Sequence, residues 1–588
     1  MTHQHHYENF PRGILKKYPT SFPQELSRSQ QWQDSAQDFY GAKQQPTHLP
    51  DIPTEAYVKN VNQTAVVCFV LMYIWEYSTL FLFVVLTTTA AAHKLLIFSF
   101  TSSKSHMLSN GRIADALAQA GHNVTLLSLE FLISTDELPT TKYARVIRMG
   151  SVDQGLLSIG ASKKAETLET VFKPRSLWGN YNAYKAYMSA ISSTYDSKNI
   201  GERKGTNRIP SGRKFRRHFR GAPVSVWNCF GTSSWNPDSF LDFSDHMTFW
   251  QRAENSFQHW ITSRLYKDLV DKTTQAFRKH WDSNFIDVME YMRSSTPLIF
   301  VAVSELMDFP RPIMHNVIYI GGLGMKNARH TSTADLSEPF ATEMTKGVKG
   351  VVFVSFGSNV NTAYLPDTIR RNLIDGLAAI SDSYHVILKL EKEDTEGISY
   401  ARSKPNIFVT SWAPQAQLLQ HPRLKIFFTH GGYNSLLEVA QSGKPVLLMP
   451  FMYDQTRNAM MVQRNGWGHM FDRTSLMNGW TQLEKDLRMV LEDPKFEKGA
   501  KRIQNLLATK PFSADEIFLR NVQFVLENNG TLPELQATAF QLSFIRQFNL
   551  DIILIGILTL MLLFCVIVSV ILICWKSCRL RNVKKKAE

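Results

Sequence analysis

Cysteine is scarce in this chain, with five residues in 588. Four lie in or beside apolar runs near the two ends, and one lies in the body: Cys68, Cys565, Cys574 and Cys578 against Cys229. A single cysteine in the body excludes an internal disulfide framework. The cysteines therefore do not reveal the compartment, and a secretory assignment depends on the apolar segments.

Charge is also scarce in the body, although the formal net charge is +14. Lys198–Arg220 holds nine Lys or Arg and one Glu, and Lys576–Glu588 holds six Lys or Arg and one Glu. The rest of the chain is close to neutral, which argues against a general nucleic-acid surface. The first run has only Phe215 and Phe219 as interleaved aromatics, so no nucleic-acid partner is expected.

Charged residues are absent from Ile552–Trp575, a run of 24 residues. At about 1.5 Å per residue a helix of this length crosses a bilayer, so we predict a transmembrane helix over 550–575. The basic tail 576–588 marks the cytoplasmic side and places the body on the other side. Lys585-Lys586 resembles the dilysine retrieval signal of endoplasmic-reticulum membrane proteins; the alternative is a solvated basic flank. The expected form is a single-pass type I membrane protein with a lumenal body.

Export requires a signal, and the segment 72–92 is the candidate. It has an apolar core that ends in Ala90-Ala91-Ala92, which predicts a signal peptide cleaved before His93. No Lys or Arg precedes the core after Met72, and Glu76 interrupts it, so an uncleaved signal anchor is the alternative. Residues 1–71 are rich in His, Gln, Ser and Pro, and we predict a disordered extension. An alternative hypothesis is that translation starts at Met72 and that the residues before it are an artefact of the gene prediction.

The first half of the body lacks the Gly-x-Gly-x-x-Gly of dinucleotide-binding folds. Its pattern predicts a strand at Lys94–Phe100, a loop, a helix near Asn110–Ala120 and a strand at Asn123–Leu129. Without the glycine fingerprint, a nicotinamide or flavin site is not indicated. The loop after the first strand instead contains His106.

The second half predicts short apolar strands that alternate with helices, as in a parallel sheet covered on both faces. We predict strands at 350–355, 385–390, 406–410, 425–429 and 445–449, and helices at 367–380, 414–420, 434–441 and 456–465. The fold class is α/β, with two doubly wound halves joined near Val317–Leu323 and a cleft between them. The predicted domains are 93–325, with an atypical basic segment at 190–220, 326–510, and a C-terminal helix and membrane-proximal segment at 511–549.

Polar and small residues follow the predicted strands of the second half, where ligands bind in such sheets. His430, Asn434 and Glu438 recur every four residues, so they share one helical face. That face lies at a helix start, which suits an anion such as phosphate. An indole at Trp412 suits a base, and Asp454 with Gln455 suits hydroxyl groups. Taken singly, such residues are often core or solvated surface; together they fit a nucleotide that carries a polyhydroxyl group.

The run from Trp412 to Gly468, with WAPQ, THGGYNSLLEV and GKPVLLMPFMYDQTRNA, closely resembles the signature of UDP-glycosyltransferases, in particular the animal membrane glucuronosyltransferase type. The resemblance implies a GT-B arrangement of two facing Rossmann-like domains, with no metal and no cofactor beyond UDP-glucuronate or UDP-glucose as co-substrate. It implies that Trp412 stacks on uracil, that Gln415 lies beside base and ribose, and that Glu438 binds ribose. It further assigns the diphosphate to Ser358, Thr429, His430, Gly431, Gly432 and Asn434, and the sugar to Asp454 and Gln455.

The resemblance makes His106 the general base on the hydroxyl of a small lipophilic acceptor, as in detoxification, with inversion at the sugar. Imidazole suits this role because its pKa lies near neutrality; His122 is the weaker candidate. The family's partner aspartate comes from a strand that we do not find, since residues 190–220 are too basic for a buried strand. Asp196 is the nearest acid, in a non-matching context. Two hypotheses follow: an active transferase, or a donor-binding pseudoenzyme.

Two further features complete the predictions. Asn123 and Asn529 begin N-glycosylation sequences, and Asn529 is the better candidate because Asn123 opens a predicted inner strand. Residues 512–528 predict a helix, which in this family packs back on the first domain. The sequence is compatible with an oligomer and specifies neither the acceptor nor the donor sugar.

Overall fold

The structure is a computed structural model of the chain. It describes residues 79–80, 93–100, 104–129, 141–149, 172, 237–238, 241–280, 282–325, 336–357, 360–452, 454–536 and 542–584. The predicted extension at 1–71 and most of the predicted signal segment lie outside the described residues. So do the basic segment at 190–220, Asp196 and Ser358.

The strands in chain order are β1 Thr79–Leu80, β2 Lys94–Phe100, β3 Asn123–Leu129, β4 Arg145–Met149, β5 Ile299–Val301, β6 Val317–Tyr319, β7 Gly350–Ser355, β8 Tyr384–Lys389, β9 Ile407–Thr410, β10 Leu424–Thr429, β11 Val446–Leu448 and β12 Gly468–Met470. The α-helices are α1 Lys104–Gln119, α2 Phe249–His280, α3 Val288–Ser295, α4 Phe340–Glu343, α5 Asp367–Ala378, α6 Thr395–Arg402, α7 Gln415–Gln420, α8 Tyr433–Ser442, α9 Gln455–Arg464, α10 Thr481–Glu492, α11 Pro494–Ala508, α12 Ala514–Glu527, α13 Phe544–Gln547 and α14 Leu550–Lys584. Short 3₁₀ helices lie at Thr362–Tyr364, Arg473–Met477 and Pro533–Leu535.

The second half contains a six-stranded sheet in the order β12-β11-β10-β7-β8-β9. Every pairing in it is parallel. Its central strand β7 is buried throughout, with Val351 and Phe353 in one apolar cluster and Val352 and Val354 in another. Alternate residues therefore meet helices on opposite faces, which is why this strand is apolar without alternation. The five strands predicted here are present, with ends shifted by at most one residue.

The first half contains the parallel sheet β2-β3-β4 and a second sheet in the order β1-β5-β6. Strands β2 and β3 have the predicted bounds. The predicted junction near Val317–Leu323 begins with strand β6, which pairs with β5. Both halves contain parallel sheets, which confirms the predicted α/β class, and they meet where Ser109 of α1 is bonded by Asn434 of α8.

Helix α1 begins at Lys104, six residues before the predicted start. Met107, Asn110, Ile113 and Leu117 are all buried, at three- to four-residue spacing, so the buried face of the helix extends back through the predicted loop. His106 was expected in that loop and instead lies in the first turn of α1. A helical position holds its side chain more firmly than a surface loop would.

The C-terminal helix α12 packs against the first half, as expected for the predicted helix at 512–528. The Phe518 ring meets the Phe300 ring edge-on at 4.9 Å between centroids. The Asp515 carboxylate accepts hydrogen bonds from the Gly324 amide at 3.1 and 3.3 Å. This contact joins the end of the chain body to the segment that follows β6.

Helix α14 contains the membrane candidate. Its segment Leu550–Arg579 is the one helix in the described part of the chain that is long and apolar enough to cross a bilayer, with a mean hydropathy of 3.2. The predicted span at 550–575 lies within it. The helix continues to Lys584 and so includes most of the basic tail.

Candidate functional site

The residues predicted to bind the UDP-sugar donor lie at one edge of the six-stranded sheet. We call it the donor edge; it is formed by the segments that follow β7, β9, β10 and β11. Gly357 follows β7, Trp412 follows β9, His430 follows β10 and Asp454 follows β11. Parallel strands end at a common edge, so four segments that are distant in sequence converge there. The structure thus brings together the residues that the sequence assigned to one ligand, with Ser358 outside the described residues.

The His430 imidazole lies between two glycines. A Cβ added at Gly357 would lie 2.7 Å from Cε1 of His430, and one added at Gly432 would lie 2.5 Å from Nε2. On its other nitrogen, Nδ1 is 3.2 Å from the Thr429 hydroxyl. Burial, with a smaller effect from Lys389, lowers the pKa of His430 to about 4. The ring is therefore neutral at pH 7 and can present one N–H to an anion.

Helix α8 begins beside this ring. Gly431 has a φ of +87°, which glycine adopts readily, and Gly432 is the N-cap. The helix runs for ten residues and ends at Gly443 in the left-handed conformation. The first amides of a helix lack internal partners and carry the positive end of its dipole, so they favour a bound anion.

Glu438 lies one turn after Asn434 on the same face of α8. The Gln415 amide donates to its Oε2 at 2.7 Å and to the Ser435 hydroxyl at 3.3 Å. Burial raises the pKa of Glu438, opposed by Gln415 and by the Arg112 charge. Gln415 therefore holds the carboxylate in place and leaves Oε1 to meet other groups.

Helix α1 of the first half reaches this edge directly. The Asn434 amide donates to the Ser109 hydroxyl at 3.3 Å, and Nη2 of Arg112 lies 3.9 Å from Oε1 of Glu438. A small cavity between the halves is lined in part by Ser109, Arg112 and Asn434. Ser109 lies three residues after His106, so the helix that carries the proposed base contacts Asn434 and Glu438, which are predicted to bind the donor.

Trp412 presents an open aromatic face. Its side chain is 67% exposed, and Phe340 supports it edge-on at 6.5 Å between ring centroids. The Thr410 hydroxyl bonds both the amide and the carbonyl of Trp412. An exposed indole on a fixed backbone is suited to stack on a planar ring.

Asp454 and Gln455 differ in what they can offer a ligand. The Gln455 oxygen accepts from the amides of Phe451 and Met452 at 2.8 and 3.1 Å, so only its NH₂ group remains for a ligand. Asp454 accepts from the Asn458 amide at 2.8 Å, and burial raises its pKa to about 6. Asn458 also donates to the Gly431 carbonyl at 3.0 Å, which ties α9 to the end of β10.

Asn458, Ser109 and Arg112 were not among the predicted residues. Asn458 could have been found, because it lies four residues after Asp454 on one helical face. Ser109 and Arg112 contact the donor edge only through the packing of one half on the other, and the sequence carries no signal for that contact.

His106 is partly buried in the first turn of α1. Burial lowers its pKa to about 3, well below the value near neutrality that the sequence suggested. A base of this kind is in the neutral form throughout the physiological range. His122, at the turn after α1, also has a lowered pKa, through burial and the nearby His93.

The chain is similar to known glycosyltransferases over most of its length. The family model UDP-glucuronosyl and UDP-glucosyl transferase matches residues 214–587. A UDP-glucuronosyltransferase-type protein of Caenorhabditis elegans, ugt-48, is 34% identical, with 80% of this chain and 93% of that protein covered. The corresponding ugt-47 of Caenorhabditis briggsae is 31% identical, with 82% and 93% covered.

A human relative matches over a shorter stretch. UDP-glucuronosyltransferase 1A6 of Homo sapiens is 27% identical, with 57% of this chain and 60% of that protein covered. The match of the family model begins inside the basic segment predicted as atypical and includes every donor-edge residue described above. The chain belongs to the UDP-glucuronosyl and UDP-glucosyl transferase family and is a UDP-glycosyltransferase.

Proposed function

We propose that the chain transfers a glucuronosyl or glucosyl group from a UDP-sugar to small lipophilic acceptors, with inversion at the anomeric carbon. The donor edge binds the UDP-sugar: Trp412 meets uracil, Glu438 with Gln415 meets ribose, and His430 with the start of α8 meets the diphosphate. Asp454 and the Gln455 amide meet the sugar hydroxyls. No metal and no further cofactor has a role in this scheme.

The contact between α1 and α8 is the observation that carries the proposal. The 3.3 Å bond between Asn434 and Ser109 sets the helix bearing His106 against the helix that begins at the diphosphate site. An acceptor near His106 therefore faces a donor bound along α8. Among the first-half helices that the structure describes, the one that carries His106 is bonded by a proposed donor-binding residue.

The proposed reaction involves only His106, the acceptor hydroxyl and the UDP-sugar. Neutral His106 takes the proton of the acceptor hydroxyl as the hydroxyl oxygen attacks the anomeric carbon. The bond between that carbon and the β-phosphate oxygen breaks, and UDP leaves with the electron pair. The amides at the start of α8 and an N–H of His430 stabilise the charge that develops on the leaving diphosphate.

The pKa of His106 supports a second candidate, a donor-binding protein with impaired transfer. A base with a pKa of about 3 accepts a proton from a hydroxyl with little driving force, unless an anion stabilises the imidazolium. Asp196, the only acid proposed for that role, lies outside the described residues. The donor edge would then remain functional while transfer is slow.

A donor panel tests the proposal and separates the two candidates. The full chain in membranes is given UDP-glucuronate or UDP-glucose with a set of lipophilic phenols. Transfer of either sugar with a β-linked product from the α-linked donor supports the proposal. UDP-sugar binding without product supports the second candidate, and absence of binding contradicts both.

We further propose that the body faces the lumen of the endoplasmic reticulum, with α14 as the anchor and a dilysine-like tail in the cytoplasm. The basic residues after the apolar part of α14 support this orientation. Exposed Asn529, just beyond α12, is then available for glycosylation. Protease protection of the body in intact microsomes tests the orientation, and digestion without detergent would contradict it.

We expect Trp412→Ala to weaken UDP binding by about 1–3 kcal/mol, the contribution of stacking to one base. The thermal midpoint should change little, because the side chain is largely exposed. Trp412→Phe should retain part of the affinity, and Trp480→Ala, at an exposed indole that is not among the proposed donor-binding residues, should retain all of it. Titration calorimetry with UDP measures each value; equal affinity for Trp412→Ala and the wild type would exclude stacking.

We expect UDP-sugar affinity to fall as the pH falls through about 6, where the Asp454 carboxylate becomes protonated. Losing the charged acceptor costs about 1.5 kcal/mol or more, so binding at pH 5 should be roughly tenfold weaker than at pH 7.5. The folded pKa lies above the ordinary value, so ionisation of Asp454 reduces stability as the pH rises through about 6.

The Asp454→Asn variant separates these two effects. It should bind weakly at both pH values and unfold at a higher temperature than the wild type above pH 6. The exposed Asp472→Asn variant is the control and should keep the wild-type pH dependence. A wild-type pH dependence in Asp454→Asn would show that another group titrates.

A further inference from the structure

The first four turns of α2 have their polarity reversed. Their buried residues are polar: Asn255, Gln258, His259 and Thr262. Their large apolar side chains face outward, with Phe249, Trp250, Phe257 and Trp260 exposed at 64, 78, 50 and 46%. A helix on the surface of a soluble domain shows the opposite arrangement, with its apolar stripe toward the core.

The helical positions make the reversal nearly complete. At about 100° per residue, the four aromatics fall within an arc of about 100°, and so do the four buried polar residues. The centres of the two arcs lie about 180° apart. We call the outward arc the aromatic stripe, defined by Phe249, Trp250, Phe257 and Trp260.

The inward polar face is hydrogen-bonded. The Asn255 side-chain oxygen accepts from the Asp238 amide at 2.8 Å, and the Gln258 amide donates to the Thr262 hydroxyl at 3.3 Å. These bonds offset the cost of burying polar groups. The buried face is thus largely hydrogen-bonded, although the Gln258 side-chain oxygen has no partner among the described residues. The further unexplained cost is the exposure of four aromatic rings to water.

Two arginines accompany the aromatic stripe. The Arg252 guanidinium lies 6.0 Å from the centroid of the Phe249 ring, and that of Arg264 lies 5.8 Å from the Trp260 ring. The rings of Phe257 and Trp260 stack at 5.9 Å. Aromatic side chains with Arg beside them are the composition of segments that lie at a membrane–water interface.

We propose that the aromatic stripe lies on the surface of the bilayer that α14 crosses, with its rings at the headgroup and acyl boundary. Arg252 and Arg264 then lie at the level of the lipid phosphates. The chain between α12 and α14 has 22 residues and reaches at most about 75 Å. This tether keeps the body close to the bilayer, so a contact of low intrinsic affinity is populated.

Quenching by brominated lipids tests the proposal on the full chain in nanodiscs. Acyl-chain bromine quenches indoles that lie at the lipid boundary, so the quenched intensity reports their number. The proposal places Trp250, Trp260 and Trp575 at the bilayer, and the Trp250→Phe/Trp260→Phe variant retains only Trp575, so we expect its quenched component to be roughly threefold smaller than that of the wild type. The Trp412→Phe/Trp480→Phe variant also removes two exposed indoles and should lose none of this component.

An unchanged quenched component in Trp250→Phe/Trp260→Phe overturns the proposal. A second copy of the chain is the competing occupant, and it gives a different result. In that case Trp250→Gln/Trp260→Gln would lower the particle mass by one protomer in light scattering, with lipid quenching unchanged from the wild type. Phenylalanine preserves the apolar surface, so loss of quenching in that variant does not depend on altered folding.

Discussion

Replacing Gly357 with alanine should weaken UDP binding by roughly 10- to 100-fold. The new Cβ would lie 2.7 Å from Cε1 of His430, so the ring must move from its place beside Thr429. Forcing a methyl group into such a space costs about 1–3 kcal/mol, and tenfold in affinity corresponds to about 1.4 kcal/mol. The displaced ring no longer presents its N–H to the diphosphate, which adds to the loss.

The chain contains a matched control for the backbone effect of this substitution. Gly357 and Gly466 have φ values of +78° and +73°, so alanine is strained at both positions. A Cβ at Gly466 meets no atom within 4 Å. Gly466→Ala should therefore lower the thermal midpoint and leave UDP affinity unchanged.

Titration calorimetry with UDP, alongside thermal unfolding, measures both variants. Equal losses of affinity in Gly357→Ala and Gly466→Ala would contradict the role given to His430, because backbone strain alone would then explain them. Gly432→Ala gives a third comparison. Its φ of −62° is ordinary, so its cost comes only from the 2.5 Å approach to Nε2 of His430.

The donor half could be predicted closely from the sequence. Its strands are continuous apolar runs because both faces of the sheet are covered, and β7, β9 and β10 end at Ser355, Thr410 and Thr429, at the edge where ligands bind in such sheets. The four-residue spacing of Asn434 and Glu438 predicts that they share one helical face. Local patterns suffice there because parallel strands end at a common edge of the sheet. The end of each strand therefore places the residues that follow it at that edge.

The first half was less predictable, for physical reasons. The start of α1 was placed late because Ser105 and His106 are polar, whereas the burial of Met107 extends the helix. Burial lowers the pKa of His106 to about 3, below the value near neutrality that the sequence suggests, because burial depends on packing that local sequence does not encode. Helix α2 gave no recognisable pattern, since its outward aromatics reverse the usual assignment of apolar residues to the core.

Replacing His106 with glutamine should lower kcat by about 10²- to 10⁴-fold, the usual contribution of a general base. UDP affinity should stay within about twofold, because the donor edge is built from the other half and a factor of two is only about 0.4 kcal/mol. Turnover of a phenol with the preferred UDP-sugar, together with calorimetry, separates the two quantities. His122→Gln is the matched control, a second histidine of the first half with a lowered pKa, and should retain wild-type turnover.

The pH profile of kcat/KM then distinguishes the two candidate functions. With a pKa of about 3, His106 is neutral from pH 5 upward, so its protonation should give no acid limb in that range. A carboxylate partner from outside the described residues would raise this pKa and produce an acid limb near pH 6–7, the ordinary range of histidine. That limb would persist in Asp454→Asn and disappear with the activity in His106→Gln. The wild type would instead be a donor-binding protein, in which His106 lacks a partner carboxylate, if it still binds UDP-sugar but its turnover is as low as that of His106→Gln.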